Sequence, residues 1–226
     1  MTKKERAALT EQALAARYPD ALCSLVYHPD KPYELLIATR LSAQCTDARV
    51  NLVTGPLFEK YQSLEDFANA ELSDVEEIIK SCGFFRVKAK DTIEMCRQLL
   101  ERHGGTLPDT MEELTALSGI GRKTANLILG DIFHQPAVVT DTHCIRICGR
   151  IGLTSGSEDP KTVETELRKI LDPQGSSDFC HRLVLFGRDI CTARNPKCGE
   201  CELHGFCKSA GKPDSWKKKP KIIREE

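Results

Sequence analysis

"LSGIGRKTANLILG", Leu117 to Gly130, decides how this chain is read. An apolar residue and a serine precede two glycines around one isoleucine, then come Arg122, Lys123 and an apolar run. The pattern predicts a short helix over Met111 to Ser118, a turn at Gly119-Ile120-Gly121 needing unusual backbone angles, and a second helix from Arg122 to Phe133. Two glycines admit a partner's backbone, and the free N–H groups that open the second helix make an anion site suited to a phosphate. This is a helix-hairpin-helix, which holds DNA backbone without reading sequence. Gly119, Ile120, Gly121 and Arg122 are therefore candidate DNA contacts. Cations at the positive end of a helix cost stability, so their placement points to function. That end also disfavours the charged form of Lys123 and enlarges its nucleophilic fraction, the alternative being plain phosphate binding.

Outward from this stretch nearly everything has helical periodicity. Tyr33 to Asn51 carries Leu36, Ile37 and Leu41 at helical spacing, and Asp74 to Cys82 and Arg86 to His103 follow. Only Ala137-Val138-Val139 could be a short strand, and it reads equally as a buried connector. The expected fold is all-α, built of short helices, without internal repeats or a long linker.

Composition narrows the class. The chain has 226 residues, 40% of them hydrophobic, and a formal net charge of −1, so a basic overall field cannot carry polyanion binding. Charge is uneven: residues 208–226 hold about +4, leaving about −5 on the rest. No window approaches the roughly 18 apolar residues of a membrane span, and the N-terminus has no signal-peptide pattern, so an intracellular protein without a membrane partner is expected.

Eleven cysteines are many for a reducing compartment. Four of them stand as Cys191-x6-Cys198-x2-Cys201-x5-Cys207, with Asn195, Pro196, Gly199 and Gly205 supplying turns. Four soft thiolates this close ask for a metal, an iron–sulfur cluster before zinc, with disulfides the remaining alternative; structural zinc favours two paired knuckles, and here only the middle pair is close. The other seven read as small buried apolar residues. In "VVTDTHCIRICGR", Asp141 fits a helix N-cap and, if the fold brings it opposite Lys123, a proton shuttle; His143 reads as structural.

Taken in order, "LSAQCTD", "LSGIGRKTAN", "TDTH", "HRLVLFGRDIC" and the cysteine quartet resemble endonuclease III, of the helix-hairpin-helix DNA glycosylase superfamily with a 4Fe-4S cluster, over roughly residues 20–207. The resemblance implies two helical domains: a six-helix barrel over 25–135 containing the hairpin, and a cluster-bearing domain from 1–24 and 136–210, followed by a basic tail at 211–226. It implies a monomer in bacterial or archaeal cytoplasm, associated with the nucleoid, acting on double-stranded DNA that carries a damaged pyrimidine or an abasic site. The activity implied is removal of oxidised pyrimidines followed by strand cleavage. Lys123 would be the nucleophile, Asp141 its acidic partner, and Cys191, Cys198, Cys201 and Cys207 the ligands of the 4Fe-4S cluster. Gln44 would fill the space left by a flipped nucleotide or touch the widowed partner base, and Phe84 would be a second wedge, where the family commonly has Leu-Tyr in place of Phe84-Phe85. The adenine-mismatch branch lacks the lysine and carries a glutamate just upstream of "LSAQCTD", where this chain reads Ile37-Ala38-Thr39-Arg40. A non-catalytic DNA-binding or electron-transfer protein would not need Lys123 together with Asp141.

Overall fold

The computed structural model describes residues 1–210 and Lys212, all helix and connecting loop, with no strand among them. The tail expected at 211–226 otherwise lies outside the described residues. The chain divides into two compact units, one running from Cys23 to Ala137 and the other combining Met1–Leu22 with the chain from Val138 onward.

In the Cys23–Ala137 unit the helices are α2 (Tyr33–Leu41), α3 (Asp47–Lys60), α4 (Leu64–Ala68), α5 (Leu72–Ile78), α6 (Phe85–His103), α7 (Met111–Thr115) and α8 (Arg122–Asp131). α2 is apolar almost all round, with Leu35, Leu36, Ile37, Ala38 and Leu41 buried, and it packs on α3, α6 and α8. α6 buries Ala89, Ile93, Cys96 and Leu99 on one stripe and stops where Gly104 turns left-handed. The helix expected from Tyr33 to Asn51 is two helices. Gln44 takes a left-handed φ of 54°, and the Thr46 side chain caps the backbone N–H of Arg49, restarting the helix as α3. Likewise the helix expected over Asp74–Cys82 runs Leu72–Ile78, and Cys82 lies in a turn.

The other unit holds α1 (Lys3–Arg17), α9 (Thr142–Ile151), α10 (Pro160–Leu167), α11 (Ser176–Asp189) and a single 3-10 turn at Cys198–Glu200. Asp141 caps α9, its Oδ1 accepting from the Cys144 N–H at 2.7 Å. Ala137, Val138 and Val139 form the buried connector rather than a strand. α11 packs on both α1 and α9. It approaches α9 closely because position 187 is glycine: a Cβ there would stand 2.9 Å from both Arg146 and Ile147 and closer still to the His143 ring. His143 is thus a packing residue. Gly187→Ala is expected to lower the thermal midpoint of this unit, destabilising it by about 1–3 kcal/mol through overpacking, as read by calorimetry on the holoprotein.

Candidate DNA-repair site and iron–sulfur centre

The hairpin turn between α7 and α8 is held from below. Arg40 of α2 donates from Nε and Nη2 to Asp91 Oδ2 of α6, at 2.9 and 2.5 Å. Asp91 Oδ1 accepts from the Ser118 hydroxyl at 3.1 Å, and Gln98 accepts the Ser118 backbone N–H at 2.8 Å. Gly119 sits directly on this pair with φ 73°, and a Cβ there would meet Asp91 Oδ2 at 2.7 Å. Gly119 is therefore required twice over, by conformation and by space.

Gly121 differs. The expectation of unusual angles across the whole turn holds at Gly119 only, since Gly121 has an ordinary φ of −101° and a Cβ there would meet nothing within 4 Å. It is the N-cap of α8, yet no side chain caps the helix. Arg122 and Lys123, which open α8, are both exposed. The Ile120 side chain is buried, and its N–H bonds the Leu117 carbonyl, so Ile120 fastens the turn to the core.

Near Lys123 lies a residue that spacing did not single out. Burial pushes the Cys23 thiol up to about 12, with Asp131 and Asp47 adding to the rise and Lys123 opposing it, which places the ammonium within electrostatic reach of that sulfur. In the other unit Asp141 is half-buried; Oδ1 serves the cap, and Oδ2 takes no hydrogen bond among the described residues. Capping accounts for only half of this carboxylate.

Among the described residues three non-glycines adopt left-handed backbone, and two of them are the candidate wedges, Gln44 at φ 54° and Phe84 at φ 59°. Such conformations cost about 1–3 kcal/mol each and cluster at functional sites. Phe84 is 69% exposed, whereas Phe85 is half-buried with the Arg86 guanidinium 4.9 Å above its ring.

Cys191, Cys198, Cys201 and Cys207 line one small pocket, walled also by Ile151, Phe186, Ile190 and Leu203. Among the described residues no three His, Cys, Asp or Glu side chains are gathered closely enough to hold a metal ion. Four thiols set around a cavity suit a multi-iron cluster rather than one zinc, whose sulfurs each lie about 2.3 Å from the metal. Burial pushes Cys201 up to about 11, with Cys191 and Cys207 contributing, so the positive charge of a bound cluster would be what holds this sulfur as a thiolate. Backbone N–H groups already point at them, from Leu203 to Cys201 and from Ser209 and Ala210 to Cys207. α9 braces the loop: Arg146 donates to the Cys191 carbonyl at 3.0 Å, and Arg150 to the Thr192 and Ala193 carbonyls at 2.7 and 2.8 Å and to Cys191 Sγ at 3.5 Å. These arginines went unassigned in the sequence, although their i, i+4 spacing in "CIRICGR" was the available signal.

Residues 37–173 match a family model described as HhH-GPD superfamily base excision DNA repair protein, and residues 191–207 match the iron-sulfur binding domain of endonuclease III. The chain belongs to the endonuclease III family. It is a DNA glycosylase of base excision repair and carries a 4Fe-4S cluster. Endonuclease III of Synechocystis sp. is 44% identical over 92% of this chain and 94% of its own length. Endonuclease III of Bacillus subtilis is 40% identical over 87% and 89%. An endonuclease III solved as a trapped covalent intermediate with DNA superposes with TM-score 0.87 at 39% identity, covering 93% of this chain and 98% of that one. No described helix is long and apolar enough to cross a membrane.

Two outcomes follow for the endonuclease III geometry. Gly119→Ala is expected to destabilise by about 1–3 kcal/mol, while Gly121→Ser, which supplies the missing cap, holds or raises stability by a few tenths of a kcal/mol; thermal unfolding of the holoproteins compares them. The purified protein is expected to be yellow-brown with about four irons per chain, and iron removal by a chelator to melt the 191–207 loop, read by hydrogen exchange.

Proposed function

We propose that the chain is a bifunctional glycosylase and AP lyase that removes oxidised pyrimidines from duplex DNA and cleaves 3′ to the abasic site. The observation that carries this is Lys123, exposed in the first turn of an uncapped helix. The relative trapped in covalent union with DNA supports it. In this reading the hairpin amides and Arg122 grip a phosphate, and Gln44 and Phe84 enter the base stack as the damaged nucleotide is flipped out. The Lys123 amine attacks C1′ and the base departs. The resulting iminium acidifies the C2′ proton, the 3′ phosphate is eliminated, and hydrolysis of the imine frees the lysine. Asp141 moves the proton and stabilises the developing cation with the oxygen that its cap does not use. The four cysteines hold the cluster, which supplies a structural or electron-carrying centre apart from the bond cleavage. The relatives are bacterial, which supports a cytoplasmic enzyme working at the nucleoid.

A Schiff base reduces to a stable amine, so borohydride during turnover is expected to cross-link protein to damaged DNA. Lys123→Gln should lose both cross-link and strand cleavage while still binding the duplex. Asp141→Asn should slow base removal by about two to four orders of magnitude yet still cleave a preformed abasic site. Trapping that persists in Lys123→Gln would assign the nucleophile to another amine. Gly121→Ser should weaken binding to every duplex sequence alike, read by salt-dependent titration.

A further inference from the structure

Of the last four carbonyls of α2, three are satisfied by the residues that follow directly. Ala38 accepts the Ser42 N–H at 2.9 Å, Thr39 the Ser42 hydroxyl at 2.8 Å, and Arg40 the Ala43 N–H at 3.4 Å. The fourth belongs to Leu41, and the amide that would reach it if α2 ran on is that of Cys45, four residues ahead. Cys45 instead donates to the Ser42 carbonyl at 3.0 Å, closing a four-residue turn whose third residue, Gln44, takes φ 54°. The Leu41 carbonyl is served from a distance: Nζ of Lys88, on α6, donates to it at 2.8 Å. The backbone N–H of Lys88 bonds the Phe84 carbonyl at 3.2 Å, so one residue is bonded both to the segment leading into Gln44 and to Phe84.

Lys88 is wholly buried, a state that lysines almost never take up unless paired. Desolvation pushes its amine below the ordinary lysine range. Asp91, the carboxylate one turn further along α6, is committed to Arg40 and Ser118. A methionine would fill the same space without the cost of burying a charge. What methionine cannot supply is a donor for the Leu41 carbonyl, at the helix end where the backbone dipole favours a cation. A left-handed glutamine, in turn, persists only where its surroundings impose it.

We propose that Lys88 is a positioning residue for damage recognition: by taking the Leu41 carbonyl in place of the Cys45 amide, it stops α2 and holds Gln44 in the left-handed turn from which that side chain enters the base stack. Two donors compete for one acceptor. With Lys88 bonded, the Cys45 amide is released to the Ser42 carbonyl and the turn closes. Without the Lys88 donor the carbonyl of buried Leu41 loses its partner, a penalty that the Cys45 amide would relieve by returning to it. α2 is then expected to run on through Gln44 with right-handed angles, redirecting its side chain. The entry of Gln44 into the stack rests on the function proposed above; the hold on its backbone does not.

The test titrates each holoprotein with a duplex carrying a tetrahydrofuran abasic analogue, whose gap a wedge fills, and with the same duplex undamaged. Lys88→Met removes the donor and keeps an unbranched stem; Lys88→Gln, one bond too short for the carbonyl, serves if Lys88→Met does not fold. Either variant is expected to bind the analogue duplex about tenfold more weakly and the undamaged duplex nearly as the parent does, with Lys88→Arg recovering part of the loss. Combined with Gln44→Ala, Lys88→Met should cost little more than Gln44→Ala alone, because the lysine acts through the glutamine. A lysine that served stability alone would lower the thermal midpoint and weaken both duplexes alike; that result, or additive losses in the double variant, overturns the proposal. If Gln44→Ala by itself leaves the analogue affinity unchanged, the wedge reading fails, and the crystal structure of Lys88→Met judges the hold separately. Cys45 bonded back to Leu41 with Gln44 at negative φ upholds it, and a Gln44 that stays left-handed overturns it.

Discussion

The ion pair between Arg40 and Asp91 underlies the hairpin side of the Cys23–Ala137 unit. Both partners are largely buried, with side chains 14% and 17% exposed, so the attraction is little screened, and removing either one would strand the other at a cost of about 3–5 kcal/mol. Its second effect is geometric. With one carboxylate oxygen engaged by Arg40 and the other by Ser118, Asp91 fixes the height at which the hairpin turn crosses α6, and only glycine at 119 can pass over it. The start of α8 is held at a set position because the turn below it is pinned.

The same helix also holds the end of α2. Lys88, Asp91 and Gln98 are three and seven residues apart and share one face of α6. Lys88 fastens the end of α2, Asp91 fastens Arg40 and Ser118, and Gln98 fastens the backbone of the turn. One row of polar residues along α6 therefore ties the hairpin turn to the end of α2, the helix that runs into Gln44. Buried polar groups of this kind specify a geometry where apolar packing would tolerate several.

How much of this could be read from the sequence depends on the range of the cause. The hairpin, the Asp141 cap and the cysteine quartet were legible because each is written within about a dozen residues, in glycine placement, capping chemistry or ligand spacing. The break after Leu41 was not, because the periodic run before it gives no warning of a tertiary hold on the Leu41 carbonyl by a lysine 47 residues away. Gly119 and Gly121 look alike in sequence, and only the neighbours show that one is demanded by the fold and the other leaves room outside it. Cys23 near Lys123 leaves no trace in spacing at all.

One feature of the fold bears on how the molecule is made. The cluster-bearing unit is built from both ends of the chain: α1 packs on α11, and buried Arg6 donates to the carbonyl of Phe206, next to the ligand Cys207. The intervening 115 residues from Cys23 to Ala137 form a unit with its own core. At a synthesis rate of about 5–20 residues per second, the hairpin-bearing unit can close on the ribosome while α1 waits for its partners. Iron insertion and docking of the N-terminal helix are then the final events of biogenesis, and a nascent chain halted before Cys207 would offer cluster-assembly machinery an incomplete set of thiols.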